Sequence, residues 1–330
     1  MNAYALRMVA KGLATYVPGL RRLRKALFKG KARLEGTNSA RYCYSVWLRH
    51  LVKVRRCGLA GRFETVAELG PGESLGTGLA AILSGADRYY ALDVVAAADR
   101  AQNLRVFDEV VELFRHREPI PGPAEFPRVA PVLDSYAFPH EILTPDLLAR
   151  CLSEERVGSI REALASASGA SGPIRIGYRA PWHGPQVIER GTVDWVFSQA
   201  VLQHVDDLEL TYGALGAWLR PGGVTSHQIS FGSYGTAREW DGHWQYSDRM
   251  WKIVRGSRPY LINRQPHSAH MDLLKRFGFE VVCDERFTDK TGLPRERLAA
   301  RFRRMSEEDR MTQYTFLVAV KREAAERAGP

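Results

Sequence analysis

Glu68-Leu69-Gly70-Pro71-Gly72-Glu73-Ser74 follows directly on an apolar run and is the strongest chemical signal in the 330-residue chain. Glycines placed just after a strand let the backbone approach a ligand with no Cβ in the way. In open α/β sheets, nucleotide-like ligands sit at the first β–turn–α unit. Asp93 ends the next apolar run, 23 residues after Gly70. An acid there can accept hydrogen bonds from both hydroxyls of a ribose. The turn is not a dinucleotide fingerprint, since Leu75 stands where G-x-G-x-x-G needs its last glycine. Nor is it a phosphate loop, because no G-K-[ST] follows. A nucleoside cofactor without a pyrophosphate fits better.

Three histidines fall beside or within later strand signals: His204, His227 and His243. Neutral imidazole suits a general base acting on a hydroxyl near neutral pH. Tyr178, Trp182, Trp240, Trp244 and Trp251 gather in the same regions, where aromatic faces can stack on a sugar ring or a base. Asn263 and Arg264 could orient a polar or anionic substrate. Each of these residue types also serves as a hydrogen-bonded or core residue. Cys43, Cys57, Cys151 and Cys283 are scattered, with no C-x-x-C pair or Cys/His cluster, so no metal site and four reduced thiols are expected.

The elements that must position these residues read as an α/β fold. Strands are expected at 65–69, 88–92, 174–178, 193–197 and 224–229, with helices at 76–84 and 208–219, and a stop at Arg220-Pro221-Gly222-Gly223. A helix at 268–277 precedes two late strands, 279–283 and 314–320, expected as an antiparallel pair around a charged helical stretch at 293–310. The 80 residues between the second and third strands exceed an ordinary crossover. They hold a helical pattern at 99–116, a Pro-rich loop, two helical patterns within 144–168 and a Ser/Gly/Ala-rich connection. Residues 97–172 are therefore expected to form a helical insertion covering the strand tips, where such sheets bind ligands.

The net charge of +10 is unevenly spread. Residues 1–62 hold 15 of the 47 basic residues and one acid, Glu35, for +14; the other 32 basic and 36 acidic residues sum to −4. Helical patterns at 4–30, broken at Pro18, and at 40–57 give a basic arm, 1–62, ahead of a catalytic domain, 63–330. Such asymmetry suits an anionic partner. Three roles stay open: a solvated or oligomer-forming arm, a membrane surface, or RNA, the last disfavoured because no RNA module is present. There is no apolar run long enough for a span and no secretory leader pattern, so a cytoplasmic protein, peripheral to the inner membrane face at most, is expected.

Taken together, these residues resemble the class I S-adenosylmethionine-dependent methyltransferases. Glu68 to Gly72 is similar to their glycine-rich motif and Asp93 to their ribose-binding acid. Val193-Asp194-Trp195-Val196-Phe197-Ser198-Gln199-Ala200-Val201-Leu202-Gln203-His204-Val205 resembles the fourth-strand motif, and Leu219-Arg220-Pro221-Gly222-Gly223 the turn before the fifth strand. The resemblance covers 64–100 and 174–320. It implies a Rossmann-like, mostly parallel sheet with a late antiparallel strand, and S-adenosyl-L-methionine as cofactor. The cofactor residues it implies are Glu68, Gly70, Pro71, Gly72, Asp93, Val94, Ser198 and Gln199. No acid follows Tyr178, so the Ala180 backbone stands in for the usual adenine contact. On the substrate side Trp182, Trp244, Asn263 and Arg264 are expected.

Ser39-Ala40-Arg41-Tyr42, Val46-Trp47-Leu48-Arg49-His50, Ser226-His227-Gln228-Ile229 and Tyr260-Leu261-Ile262-Asn263-Arg264 resemble members associated with bacterial surface-glycan gene clusters. That implies O-methylation of a sugar or glycan acceptor by direct transfer. A small natural product or RNA as acceptor, or a non-catalytic scaffold retaining the fold, are the competing readings. Ser198-Gln199-Ala200-Val201 in place of N/D-P-P-[YF] argues against methylation of base amino groups.

Overall fold

The computed structural model describes residues 3–17, 36–165, 172–258 and 260–323. Seven strands form one sheet: β1 (Thr65–Leu69), β2 (Arg88–Leu92), β3 (Arg175–Arg179), β4 (Val193–Gln199), β5 (Leu219–Ser230), β6 (Phe279–Thr288) and β7 (Thr312–Lys321). Their order is β3-β2-β1-β4-β5-β7-β6. The pairs from β3 through β5 are parallel, and β7 alone runs against its neighbours. It is the mostly parallel, Rossmann-like sheet with a late antiparallel strand that the sequence implies. The chain reverses its winding between β1 and β4, which opens a crevice beyond their carboxyl ends.

Flanking the sheet in chain order are α1 (Ala3–Leu13), α2 (Ala40–Arg56), α3 (Gly76–Ile82), α4 (Arg100–Arg115), α5 (Pro145–Cys151), α6 (Glu154–Ala165), α7 (Leu208–Trp218), α8 (Asp248–Arg255), α9 (His267–Arg276) and α10 (Glu307–Met311). Many begin with a side-chain cap at the predicted start. Ser39 caps α2, Asp99 caps α4, and Asp207 caps α7. Each oxygen accepts from a backbone N–H that has no partner within the helix. One apolar core joins α2, α3, α4 and α6 to one face of the sheet, and a second joins α7 and α9 to the other.

Three expectations change. First, α2 is not part of an outlying arm. Tyr44, Trp47, Leu48 and Val54 are buried in the main core, so a boundary at residue 62 would cut through it. Its basic residues Arg41, Lys53 and Arg56 are paired with Glu125, Glu285 and Asp134, and Arg62 beyond it is paired with Asp87. Residues 18–35, with the densest basic run, lie outside the described residues, as does most of the Ser/Gly/Ala connection, 166–171.

Second, the segment 97–172 is not one cover. Helix α4 packs in the core as the crossover between β2 and β3. Helix α6 is tied to the opposite edge of the sheet, where Arg156 pairs with Asp87 just before β2 and donates to the carbonyls of Ile82 and Ala86. Among the segment's described residues, the loop around 121–131 reaches the tips of β4 and β5. Third, 293–310 is no continuous helix. Leu293, Leu298 and Phe302 turn inward at irregular spacing, and two 3-10 turns precede the short α10.

Four histidines are sealed in this interior. Burial lowers the pKa of His50 to about 4 and those of His227, His243 and His270 to about 3. Such a group is neutral in the fold but takes a proton once unfolded, so stability is full above about pH 6.5 and declines as pH falls toward 3. Melting temperature is expected to drop steadily between pH 7 and pH 5; calorimetric scans across that range that superimpose would contradict it.

Candidate functional site

The site begins at the end of β1. Gly70 and Gly72 adopt left-handed backbone, with φ of 68° and 75°. A Cβ on Gly70 would stand 2.5 Å from Val201 Cγ2, and one on Gly72 would stand 2.9 Å from Thr37 Oγ1. The turn is therefore both conformationally and sterically reserved for glycine. Thr37 Oγ1 accepts from Glu73 N at 2.8 Å, so the segment ahead of α2 lies directly on the loop.

Glu68 does not face the cavity. It is buried, accepts from the Tyr89 hydroxyl at 2.5 Å, and burial pushes its pKa up to about 8. It braces the loop from behind through Tyr89, Thr77 and the Gly78 backbone. Pro71 is likewise buried and does not line the cavity. Asp93 is half-buried at the cavity wall; its carboxylate accepts from Gly72 N at 3.2 Å and Val94 N at 2.7 Å. A cis Ala180–Pro181 bond follows β3, and Trp182 N donates to Asp93 O at 3.1 Å. Trp182, rather than Ala180, lines the cavity beside Asp93 and Val94.

The resulting cavity, of about 510 Å³, is walled by Leu69, Gly70, Leu92, Val94, Trp182, Val201 and Leu210. Its ionisable lining is Asp93, Asp206, Asp207 and His204, with Tyr260 at the edge, and no Lys or Arg is among the lining residues described. A pyrophosphate would meet carboxylates here, whereas a cationic ligand would be favoured. The apolar walls and one ribose-facing acid suit a nucleoside.

Ala200, at the tip of β4, lines this cavity and a second, polar cleft of about 860 Å³. Its backbone is left-handed, φ 55°, which is strained for a residue with a Cβ. The cleft is bordered by Tyr42, Glu125, Gln199, Gln228, Tyr234 and Tyr314. Gln199, expected on the cofactor side, belongs to this wall. A buried chain of hydrogen bonds holds it: Trp195 Nε1 donates to Ser226 Oγ at 2.9 Å, Ser226 meets His50 Nδ1 at 2.8 Å, His50 Nε2 meets Gln199 Oε1 at 3.1 Å, and Gln199 Nε2 donates to Ala130 O at 2.9 Å. Because an amide oxygen only accepts, His50 carries its proton on Nε2. Arg41 grips Glu125 through two bonds of 2.7 and 2.6 Å.

Of the three expected histidines, only His204 remains at a cavity. His227 is wholly buried between Ser198 Oγ at 2.7 Å and Thr225 Oγ1 at 2.6 Å, because β5 is covered on both faces. Ser198 is consumed in the same contact and faces no ligand. His243 is buried against Trp244, ring centroids 4.7 Å apart. Burial also holds His204 below the ordinary 6.5, offset in part by a hydrogen bond to the Tyr260 backbone, and its Nδ1 has no protein partner. Its ring meets Tyr234 edge-on at 4.9 Å, so it stands at the junction of the two cavities.

The remaining expectations move from substrate contact to support. Trp244 is a core residue whose indole donates to Arg264 O at 3.1 Å. Arg264 is 4% exposed, pairs with Asp248 at 2.6 Å, donates to Tyr246 O, and is sandwiched by Trp251 and Phe302. Asn263 Nδ2 donates at 2.8 Å to the carbonyls of Leu202 and Val205, pinning the turn that carries His204. Glu125, Tyr234 and Tyr314 had no sequence signal. Tyr42, His50 and Gln228 lay inside the quoted motifs; Tyr42 and Gln228 border the cleft, and His50 lies buried behind its Gln199 wall.

No protein-family model matches the chain, and no curated protein matches it. Solved structures with a similar arrangement include an S-adenosylmethionine-dependent methyltransferase from Mesorhizobium loti (13% identity, 88% of this chain and 100% of that one, TM-score 0.39). Another is a SAM-dependent methyltransferase from Methanosarcina mazei (10%, 81% and 96%, 0.42). A third is phosphoethanolamine N-methyltransferase 2 of Haemonchus contortus in complex with S-adenosyl-L-methionine (13%, 89% and 61%, 0.40). Among the described residues no helix is long and apolar enough to cross a membrane, and no group of three or more His, Cys, Asp or Glu side chains could hold a metal ion.

Replacing Asp93 with Ala is expected to weaken binding of the expected cofactor, S-adenosylmethionine, by roughly 1–3 kcal/mol, the worth of hydrogen bonds to a charged acceptor, with the chain still folded despite the loss of the bonds from Gly72 N and Val94 N. Titration calorimetry showing wild-type affinity would remove Asp93 from the site. Glu68→Gln, which mimics the neutral carboxyl, should keep the wild-type melting temperature at pH 7, while Glu68→Ala lowers it; equal losses in both would contradict the bracing role.

Proposed function

We propose that this chain is an S-adenosylmethionine-dependent methyltransferase that methylates an oxygen of a sugar or glycan acceptor. The observation that carries the cofactor is the nucleoside-sized cavity at the winding reversal, which joins the glycine turn to Asp93 and has no Lys or Arg among its described lining residues. The residues present fit such a ligand. Asp93 would take the ribose hydroxyls, Val94, Trp182 and Val201 would flank the base, and Gly70 would admit the amino-acid end close to the backbone. When bound, the cofactor supplies an electrophilic methyl group open to direct displacement.

This chain's own part is to orient the acceptor, exclude water and receive a proton. The polar cleft supports the sugar reading. Its tyrosine rings offer faces to a ring, and Glu125, Gln199 and Gln228 offer acceptors and donors to hydroxyls. Gln199 is immobilised before any ligand arrives, which reduces the ordering cost of binding. His204 is the proton acceptor in this reading: burial keeps it neutral at pH 7, and its ring stands at the junction of the cavities.

The test is incubation with methyl-labelled S-adenosylmethionine and a panel of nucleotide sugars and oligosaccharides. Label recovered as an alkali-stable methyl ether on a sugar supports the proposal; label on an amine, or as an alkali-labile ester, overturns the assignment to a hydroxyl. His204→Asn is expected to lower kcat about 10²–10⁴-fold, the ordinary scale of general-base catalysis, with cofactor affinity kept. In the wild type, kcat should be level near pH 7 and fall only below 6.5, as the imidazole gains its proton. A loss of activity starting above pH 7 as the solution is acidified would exclude His204 as the base.

A further inference from the structure

Helix α1 has two apolar faces, and the described residues cover one of them. Ala5, Met8 and Gly12 form the buried seam, packed on α8 and the segment around Ile262. Gly12 is required there, since a Cβ would lie 1.9 Å from Ile253 O. Tyr4 donates to Gly235 O at 3.0 Å, and at the other end Ser257 N and Oγ donate to Thr15 Oγ1 and Thr15 O at 2.8 and 2.9 Å. The helix is therefore docked firmly and its orientation is set.

The second face carries Leu6, Ala10 and Leu13 at helical spacing, continued by Tyr16 and Val17. Leu6 is 58% exposed, Leu13 54%, Tyr16 62% and Val17 53%. A soluble surface rarely keeps so many large apolar side chains together without a use. Arg7 and Lys11 flank the stripe, and no acid occurs before Glu35. An apolar stripe bordered by cations alone is the pattern of a helix lying in a membrane interface. Protein partners and RNA each match half of it: a protein surface would bury the stripe without requiring cations throughout, and RNA would pair with the cations without using the leucines.

We propose that the exposed face of α1 is a docking surface for an anionic lipid bilayer. The leucines and Tyr16 enter the headgroup boundary, and the basic residues meet acidic headgroups. The surface adjoins the site, because α1 rests on the stretch that supplies Tyr234 and Tyr260 to the two cavities. The proposal does not depend on the methyltransferase reading, and its test uses no activity.

The full chain is floated with phosphatidylglycerol–phosphatidylcholine vesicles and with phosphatidylcholine vesicles alone. Binding is expected to the first only, with strong loss in high salt, since each basic residue near an anionic surface contributes about a fivefold preference. Leu6→Ser with Leu13→Ser is expected to reduce binding at least about tenfold at unchanged melting temperature, because both side chains point away from the packed seam. Equal binding to both vesicle types, or binding unaffected by the leucine pair, would overturn the proposal. So would a stable dimer in light scattering that the leucine pair dissociates, or displacement of vesicle binding by equimolar RNA. Should the double variant melt early, Leu6→Gln alone makes the same comparison.

Discussion

A guanidinium sealed inside a protein must find acceptors for all its donors, because an unpaired buried charge costs several kcal/mol. Arg49 of α2 is wholly buried, and among the described residues no carboxylate pairs with it. Its donors are met instead by Ser45 Oγ at 3.0 Å and by the carbonyls of Pro121, Val129 and Pro131, with Tyr136 against its face. Those carbonyls belong to the loop that bears Glu125 and Arg128 into the polar cleft. One residue later, His50 fixes Gln199 through its neutral ring. Helix α2 thus uses two adjacent buried polar side chains to position both walls of the cleft, and the rest of the site depends on that helix staying where it is.

The same constraint explains what could and could not be read from the sequence. Strands β1, β2 and β4, the glycine turn and Asp93 were legible because their signals are local: an apolar run, a break and a residue at the strand end. The location of α2 was not legible. Arg41, Arg49 and Arg56 look like surface charge until their partners, Glu125, Asp134 and distant carbonyls, are known, and those pairings span 72 or more residues. The histidines failed for a related reason. His227 lies on a central strand covered on both faces, so a residue type suited to catalysis is used to satisfy Ser198 and Thr225. His204 escapes that fate because it sits on the turn after β4, which Asn263 holds open at the crevice.

Two neighbouring cavities of different character meet at Ala200. Among the described residues, one is lined by apolar side chains and carboxylates without Lys or Arg; the other is bordered by amides, tyrosines, Glu125 and Arg128. The first favours a positively charged nucleoside and disfavours a diphosphate, while the second favours a hydroxylated acceptor. The strained backbone of Ala200, the pinned turn and the locked amide of Gln199 all lie at their boundary, so rigidity is concentrated where two ligands would have to meet in register.

The central claim is that the first cavity binds S-adenosylmethionine. Calorimetric titration of the full chain with S-adenosylmethionine, S-adenosylhomocysteine and NAD tests it directly. The account predicts saturable micromolar binding of both sulfur nucleosides and none of NAD. Binding of NAD, or of neither sulfur nucleoside, would contradict it.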